Sequence, residues 1–132
     1  MSQHSVQYLT KKADERGFLI EILKSEHAGK KPFGHIYFCT AKPGHKRGSH
    51  YHTRKTEWFL ILKGKGTIRL KGVPKGKMEE FILDGDKPAV VKIPPNVFHE
   101  VENTGQEELW LLAYVDESYN PADPDTFRLG VK

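Results

Sequence analysis

Strand-length apolar stretches, each closed by turn-forming residues, organise this chain and leave little room for helix. They run Phe18 to Leu23, His35 to Cys39, Trp58 to Leu62, Thr67 to Lys71, Ala89 to Ile93, Val97 to Val101 and Leu109 to Val115. Phe18, Ile20 and Ile22 alternate with period two, as do Ile68 and Leu70, which is the signature of a strand with one buried face. Between the stretches stand Lys42-Pro43-Gly44, Lys63 to Gly66, Gly72 to Gly76, Asp84-Gly85-Asp86, Pro94-Pro95-Asn96 and Asn103-Thr104-Gly105. Such clusters favour tight turns. No segment carries a capped helical stripe. Many short, evenly spaced strands predict an all-β sandwich or barrel, and 132 residues suffice for one core but not two. We read residues 1–132 as one domain with its core over about 14–127 and an irregular tail around Pro121 and Pro124.

Charge is modest in sum and uneven in placement. The net value is +4, yet Lys42 to Lys77 holds eleven Lys or Arg and one acid, Glu57. Met78 to Thr126 holds twelve acids against Lys87 and Lys92. Two readings stand: solvated faces of opposite sign, or a basic mouth for an anion such as a diphosphate. No nucleic-acid motif accompanies the basic stretch, so nucleic acid is not an expected partner. The longest apolar run, Trp58 to Leu62, falls far short of the ~20 residues of a membrane span. Met1-Ser2-Gln3-His4 lacks a signal pattern, so the expected location is the cytoplasm. The single cysteine, Cys39, cannot form an intramolecular disulfide.

Four residues stand out chemically. His50 and His52 are one residue apart, so on a strand both imidazoles project to the same face. Glu57 follows five residues later, and His99 follows the Pro94-Pro95-Asn96 turn. Three imidazoles and a carboxylate suit one first-row divalent ion with positions left for water or substrate. Zinc is the first expectation, with nickel, manganese and iron as alternatives.

Their spacing resembles the cupin superfamily. The first cupin motif, Gly, five residues, His-x-His, three or four residues, Glu, six residues, Gly, is met by Gly44, His50-Tyr51-His52, Glu57 and Gly64. The second, ending Pro-x-Gly, two residues, His, three residues, Asn, is met by Pro94, His99 and Asn103, with Asn96 at the glycine position. Asn tolerates left-handed backbone, so the turn is expected to persist. Gly85 lies a few residues early for a strict match. The resemblance implies a double-stranded β-helix, the jelly-roll barrel.

A narrower resemblance runs through Arg16 to Glu21, Gly34, Pro43-Gly44, Arg47 to Glu57, Ile93-Pro94-Pro95, His99, Asn103 and Asn120 to Thr126. These residues are similar to the C-terminal cupin domain of CapF-type enzymes of capsular polysaccharide synthesis. In that family the cupin is fused behind a short-chain reductase and epimerises C3 of a UDP-linked 4-keto-6-deoxy amino sugar. The resemblance therefore implies a nucleotide-sugar substrate, an isomerase activity and a separate reductase in the same pathway. Arg47-Gly48-Ser49-His50-Tyr51-His52 also resembles, more weakly, the dTDP-4-keto-6-deoxyglucose 3,4-ketoisomerases, which generally lack the full metal set.

Removing a proton beside a ketone needs a base and stabilisation of the enolate oxygen. His45, Tyr51 and His35 are the candidate bases. Arg47, Lys46 and Arg54 are the candidate diphosphate ligands, since guanidinium groups bind phosphate bidentately. Trp58 and Trp110 are read as core or interface residues rather than stacking platforms. A homodimer formed through edge strands is expected. The alternatives are a non-catalytic sugar-binding or sensor cupin and a small iron-dependent dioxygenase.

Overall fold

The computed structural model describes residues 7–24 and 33–130; the segment Met1 to His4 lies outside them. Among the described residues ten strands form: β1 (Lys11–Asp14), β2 (Gly17–Lys24), β3 (His35–Ala41), β4 (Lys46–His50), β5 (Glu57–Lys63), β6 (Lys65–Gly72), β7 (Glu79–Asp84), β8 (Val90–Ile93), β9 (Val97–Asn103) and β10 (Leu109–Val115). They build a six-stranded sheet ordered β1-β2-β3-β10-β5-β8 and a four-stranded sheet ordered β4-β9-β6-β7. All pairings are antiparallel. Two sheets joined by strands that cross between them are the jelly-roll arrangement that the alternating pattern calls for.

Alternation places the core. In β10, Leu109, Leu111, Ala113 and Val115 are buried while Trp110, Leu112 and Tyr114 turn outward. Phe59 and Ile61 of β5 and Cys39 and Ala41 of β3 join them, facing Ile68, Leu83 and Val101 from the smaller sheet. Each fully buried aliphatic or aromatic side chain here contributes about 1.5–3 kcal/mol. The outer face of the larger sheet is also apolar: Ile36, Phe38, Trp58, Leu60, Leu112 and Tyr114 lie there half-buried. Trp58 packs on Tyr114 with ring centroids 5.6 Å apart, and Trp110 meets Phe38 edge-on at 5.8 Å. Both tryptophans therefore sit on this outer face.

Strands β1, β4 and β7 were not among the sequence-predicted stretches. Their sequences, KKAD, KRGSH and EEFILD, are polar or split between charge and apolar residues. Backbone pairing with β2, β9 and β6 holds them, which leaves no side-chain periodicity to read. The Asn96 turn persists as expected, at φ 62°.

Charge finds a simple account. The basic and acidic stretches pair with one another across strands: Lys46 with Glu100, Arg54 with Glu117 and Asp123, Lys65 with Asp84, and Arg69 with Glu80, Glu100 and Glu102. Part of the segregated charge is thus complementary in the fold, through Lys46, Arg54, Lys65 and Arg69.

Candidate metal centre and its cavity

Three strands and one connection deliver the four candidate ligands. His50 ends β4 and pairs with His99 of β9 across the smaller sheet. Glu57 opens β5 in the larger sheet. His52 lies in the connection between them. The simple strand geometry expected of His50 and His52 is modified, because the β4–β9 register slips between Gly48 and His50. Gly48 at φ 86° and Ser49 at φ 65° make that bulge, and a Cβ at Gly48 would come 3.0 Å from the His99 carbonyl oxygen. Bulges re-aim side chains; this one still leaves the His50 and His52 rings 4.8 Å apart.

One ligand atom from each of His50, His52, Glu57 and His99 lies within 4.8 Å of all the others. Glu57 Oε1 is 2.5 Å from His52 Nε2 and 3.6 Å from His99 Nε2. Glu57 Oε2 accepts a hydrogen bond from the Tyr37 hydroxyl at 3.2 Å. His99 is fully buried and its Nε2 has no hydrogen-bond partner, a costly state for a polar atom. A divalent ion among the four would satisfy it.

Protonation follows from the same contacts. Burial, reinforced by neighbouring His99 and His52, pulls His50 down to about 3, so its lone pair is free at neutral pH. Burial disfavours charge on Glu57 as well, but the His52 hydrogen bond and nearby His99 outweigh it and hold the carboxyl well below the usual range. Burial opposes charge on His52 too, yet its bond to Glu57 prevails and raises it. His50 and Glu57 are thus in the neutral-imidazole and ionised-carboxylate forms that coordination requires, while His52 would give up its Nε2 proton to bind an ion.

His50, His52 and Glu57 line a cavity of about 480 Å³, whereas His99, fully buried, belongs to the cluster but not to the cavity wall. His35, Tyr37, Arg47, Lys55 and Glu21 also line it, with Lys12, Asp14, Arg16, Glu117, Tyr119 and Thr126 among the remaining wall residues. Of the candidate bases, His35 alone faces it. His35 is buried, its Nε2 lies 3.4 Å from the Glu21 carboxylate without a hydrogen bond, and burial lowers its pKa. Tyr51 instead stacks on Phe127 with centroids 5.5 Å apart. His45 sits where its carbonyl accepts from Asn103 N, four residues along β9 from His99, or roughly 13 Å at strand spacing.

The candidate diphosphate ligands divide similarly. Arg47 lines the cavity and is buried, and its Nε and Nη2 donate to the Thr40 carbonyl at 3.0 and 2.8 Å. Lys46 and Arg54 are outside the cavity lining and engaged in the ion pairs described above. Sequence reasoning did not single out Tyr37, Lys55 or Asp125. Tyr37 shares the inward face of β3 with His35, a period-two signal that was available. Lys55 is only 3% exposed, and its Nζ donates to the Pro124 carbonyl at 3.1 Å. Nothing local in the sequence marks it.

A sandwich of two antiparallel sheets carrying a His-x-His, Glu and His cluster defines a cupin. The chain belongs to the polysaccharide biosynthesis C-terminal domain family, whose model matches residues 12–127. It is 32% identical over 119 residues to a UDP-2-acetamido-2,6-beta-L-arabino-hexul-4-ose reductase of Pseudomonas aeruginosa, covering 90% of this chain and 31% of that protein. It is 27% identical over 131 residues to Agl13 of Haloferax volcanii, a probable low-salt glycan biosynthesis epimerase, covering 94% and 84%. The crystal structure of the capsular polysaccharide assembling protein CapF of Staphylococcus aureus superimposes with a TM-score of 0.86 at 34% identity, covering 96% of this chain and 35% of that one. The chain thus spans about a third of the Pseudomonas and Staphylococcus proteins. No helix among the described residues is long and apolar enough to cross a membrane.

Proposed function

We propose that this chain is a metal-dependent isomerase acting on a nucleotide-linked 4-keto-6-deoxy sugar, in the synthesis of surface polysaccharide precursors. C3 epimerisation is the favoured reaction over a keto shift, because the relatives include a probable glycan biosynthesis epimerase of similar length. The observation that carries the reading is the clustering of His50, His52, Glu57 and the orphaned Nε2 of His99, three of which line a cavity that His35 also lines.

A zinc ion held by these four residues would supply Lewis-acid stabilisation of the charge that develops on the keto oxygen. The chain's own residues do the rest. His35, neutral because burial lowers its pKa, takes the C3 proton. Glu21 lies beside it and would stabilise the imidazolium that results. A second group in the same cavity, Tyr37 or Lys55, delivers a proton to the opposite face and inverts the carbon; it recovers that proton, and His35 loses the one it took, by exchange with solvent. Arg47, held by the Thr40 carbonyl of β3 and the Phe18 carbonyl of β2, presents fixed positive charge for the diphosphate. A homodimer, a separate short-chain reductase in the pathway and a cytoplasmic location complete the proposal.

Incubation with UDP- and dTDP-4-keto-6-deoxy sugars in deuterium oxide, followed by NMR, tests it. Deuterium should enter at C3. Its absence in both series overturns the isomerase reading. Oxygen uptake by the iron-loaded protein would then favour the dioxygenase, and sugar binding without turnover the sensor cupin.

A further inference from the structure

The C-terminal segment after β10 folds back onto the metal-ligand connection. Tyr51 and Phe127 exchange two backbone hydrogen bonds, of 2.8 and 3.0 Å. Between those anchors and His52, Asp125 makes four contacts with three consecutive residues. Its carboxylate accepts from Thr53 N at 2.9 Å, from the Thr53 hydroxyl, and from Arg54 N at 2.8 Å. Its own carbonyl oxygen lies 2.7 Å from His52 Nδ1. Asp125 is 3% exposed and sits at φ 46°, a left-handed conformation uncommon for a side-chain-bearing residue. Strained backbone persists only where surroundings over-determine it; here the three carboxylate bonds do so.

The chemistry of the His52 contact is unambiguous. A carbonyl oxygen only accepts, so His52 Nδ1 must carry the proton and donate it. Nε2 is thereby the nitrogen turned towards Glu57 and the metal position. We propose that Asp125 is a positioning residue for the metal centre: its carboxylate clamps the Thr53–Arg54 turn, and so holds its carbonyl where it orients His52 with Nε2 to the ion. The proposal rests on the metal reading of the His50, His52, Glu57 and His99 cluster. Partners of this kind typically alter metal affinity by about 10–100-fold when removed.

The experiment compares the unmutated protein with Asp125→Ala, Asp125→Asn and Asp123→Ala. Zinc affinity is measured by competition with a chelator. The His52 Nδ1–H resonance is followed by imidazole NMR in both the metal-free and zinc-loaded forms. Asp125→Ala should weaken zinc binding about 10–100-fold and lose the exchange-protected Nδ1–H signal. Asp125→Asn, nearly isosteric and still able to accept from Thr53, should show a smaller change in both, and it carries the test if the alanine variant does not fold. Asp123→Ala, whose carboxylate meets only exposed Arg54, should change neither. Zinc affinity within twofold of the unmutated protein in both Asp125 variants, or an unshifted His52 signal, would overturn the proposal. If the unmutated protein binds no zinc, the metal reading fails instead, while the metal-free resonance still decides whether Asp125 holds His52.

Discussion

Nε2 of His99 lies 3.6 Å from Glu57 Oε1, buried and without a hydrogen bond, while that same oxygen is bonded to Nε2 of His52. One carboxylate oxygen thus sits between two imidazoles and satisfies only one. A divalent ion held by the four residues would resolve the imbalance. About one divalent ion per chain is expected by elemental analysis after growth with ample metal. The His50→Ala, His99→Ala double variant should hold none. Because metal binds the folded state, loading should raise Tm, and a chelator should reverse the rise. A protein that cannot be loaded rules the site out.

His35 predicts a pH dependence of stability. Its pKa in the fold is lowered from 6.5 by burial, with Glu21 opposing. The unfolded chain therefore binds a proton more readily than the folded one below pH 6.5. Stability from this residue is complete above pH 6.5 and is lost as pH falls from there towards the lowered value. Urea denaturation of His35→Gln between pH 5 and 7 should show a flatter acid slope than the unmutated protein. Identical slopes would remove His35 as the source.

Arg47 and Lys46 are neighbours with opposite fates. Arg47 is buried against the Thr40 carbonyl, whereas the Lys46 side chain is half exposed beside Glu100. Arg47→Ala leaves a buried acceptor unpaired and should cost about 3 kcal/mol. Lys46→Ala should stay within about 0.5 kcal/mol. UDP affinity should fall with salt, and Arg47→Ala should weaken it more than Lys75→Ala; equal effects would detach Arg47 from the diphosphate.

The legible parts of this chain are those in which side chains report their own burial. Strand β10 was legible as a strand-length apolar run, LWLLAYV, although only the fold decides that Leu109, Leu111, Ala113 and Val115 are its buried set. His50, His52, Glu57 and His99 stand at the offsets of a known motif, and the fold brings their ligand atoms within 4.8 Å of one another. Strand β4 was hidden because KRGSH is held by backbone pairing and a bulge. Sequence proximity to the ligands also misleads. Tyr51, flanked by two candidate ligands, turns away to Phe127, since successive side chains point to opposite faces. Asp125 touches Thr53 across 72 residues, a contact that only the folded topology creates.

The outer face of the larger sheet predicts assembly. Tyr114 stands in register with Trp58 and Ile36, and Leu112 with Leu60 and Phe38, forming an apolar surface across three strands. Val90 and Leu62 beside it are 66% and 47% exposed. Antiparallel sheets usually solvate such a face with polar residues. A homodimer is expected in sedimentation at micromolar concentration, through this face rather than the edge strands. Leu60→Glu with Leu112→Glu should yield monomers, and a monomeric unmutated protein would contradict the expectation.

The reaction itself separates the residues by role. Exchange of the C3 hydrogen with deuterium oxide requires both a base and stabilisation of the enolate, so two variants should fail for different reasons. His52→Ala removes a candidate ligand and should lose exchange together with metal. His35→Gln leaves the ligand cluster untouched and should lose at least 100-fold in exchange rate, the usual order for general-base removal, while retaining metal. His45→Ala and Tyr51→Phe alter side chains outside the cavity lining and should exchange at the unmutated rate. The comparison is sharp because metal content and exchange are measured on the same samples. Full exchange in His35→Gln would transfer the base to another cavity residue, with Tyr37 and Lys55 next in line. Loss of exchange in Tyr51→Phe with metal retained would show that the ring leaves Phe127 when substrate binds.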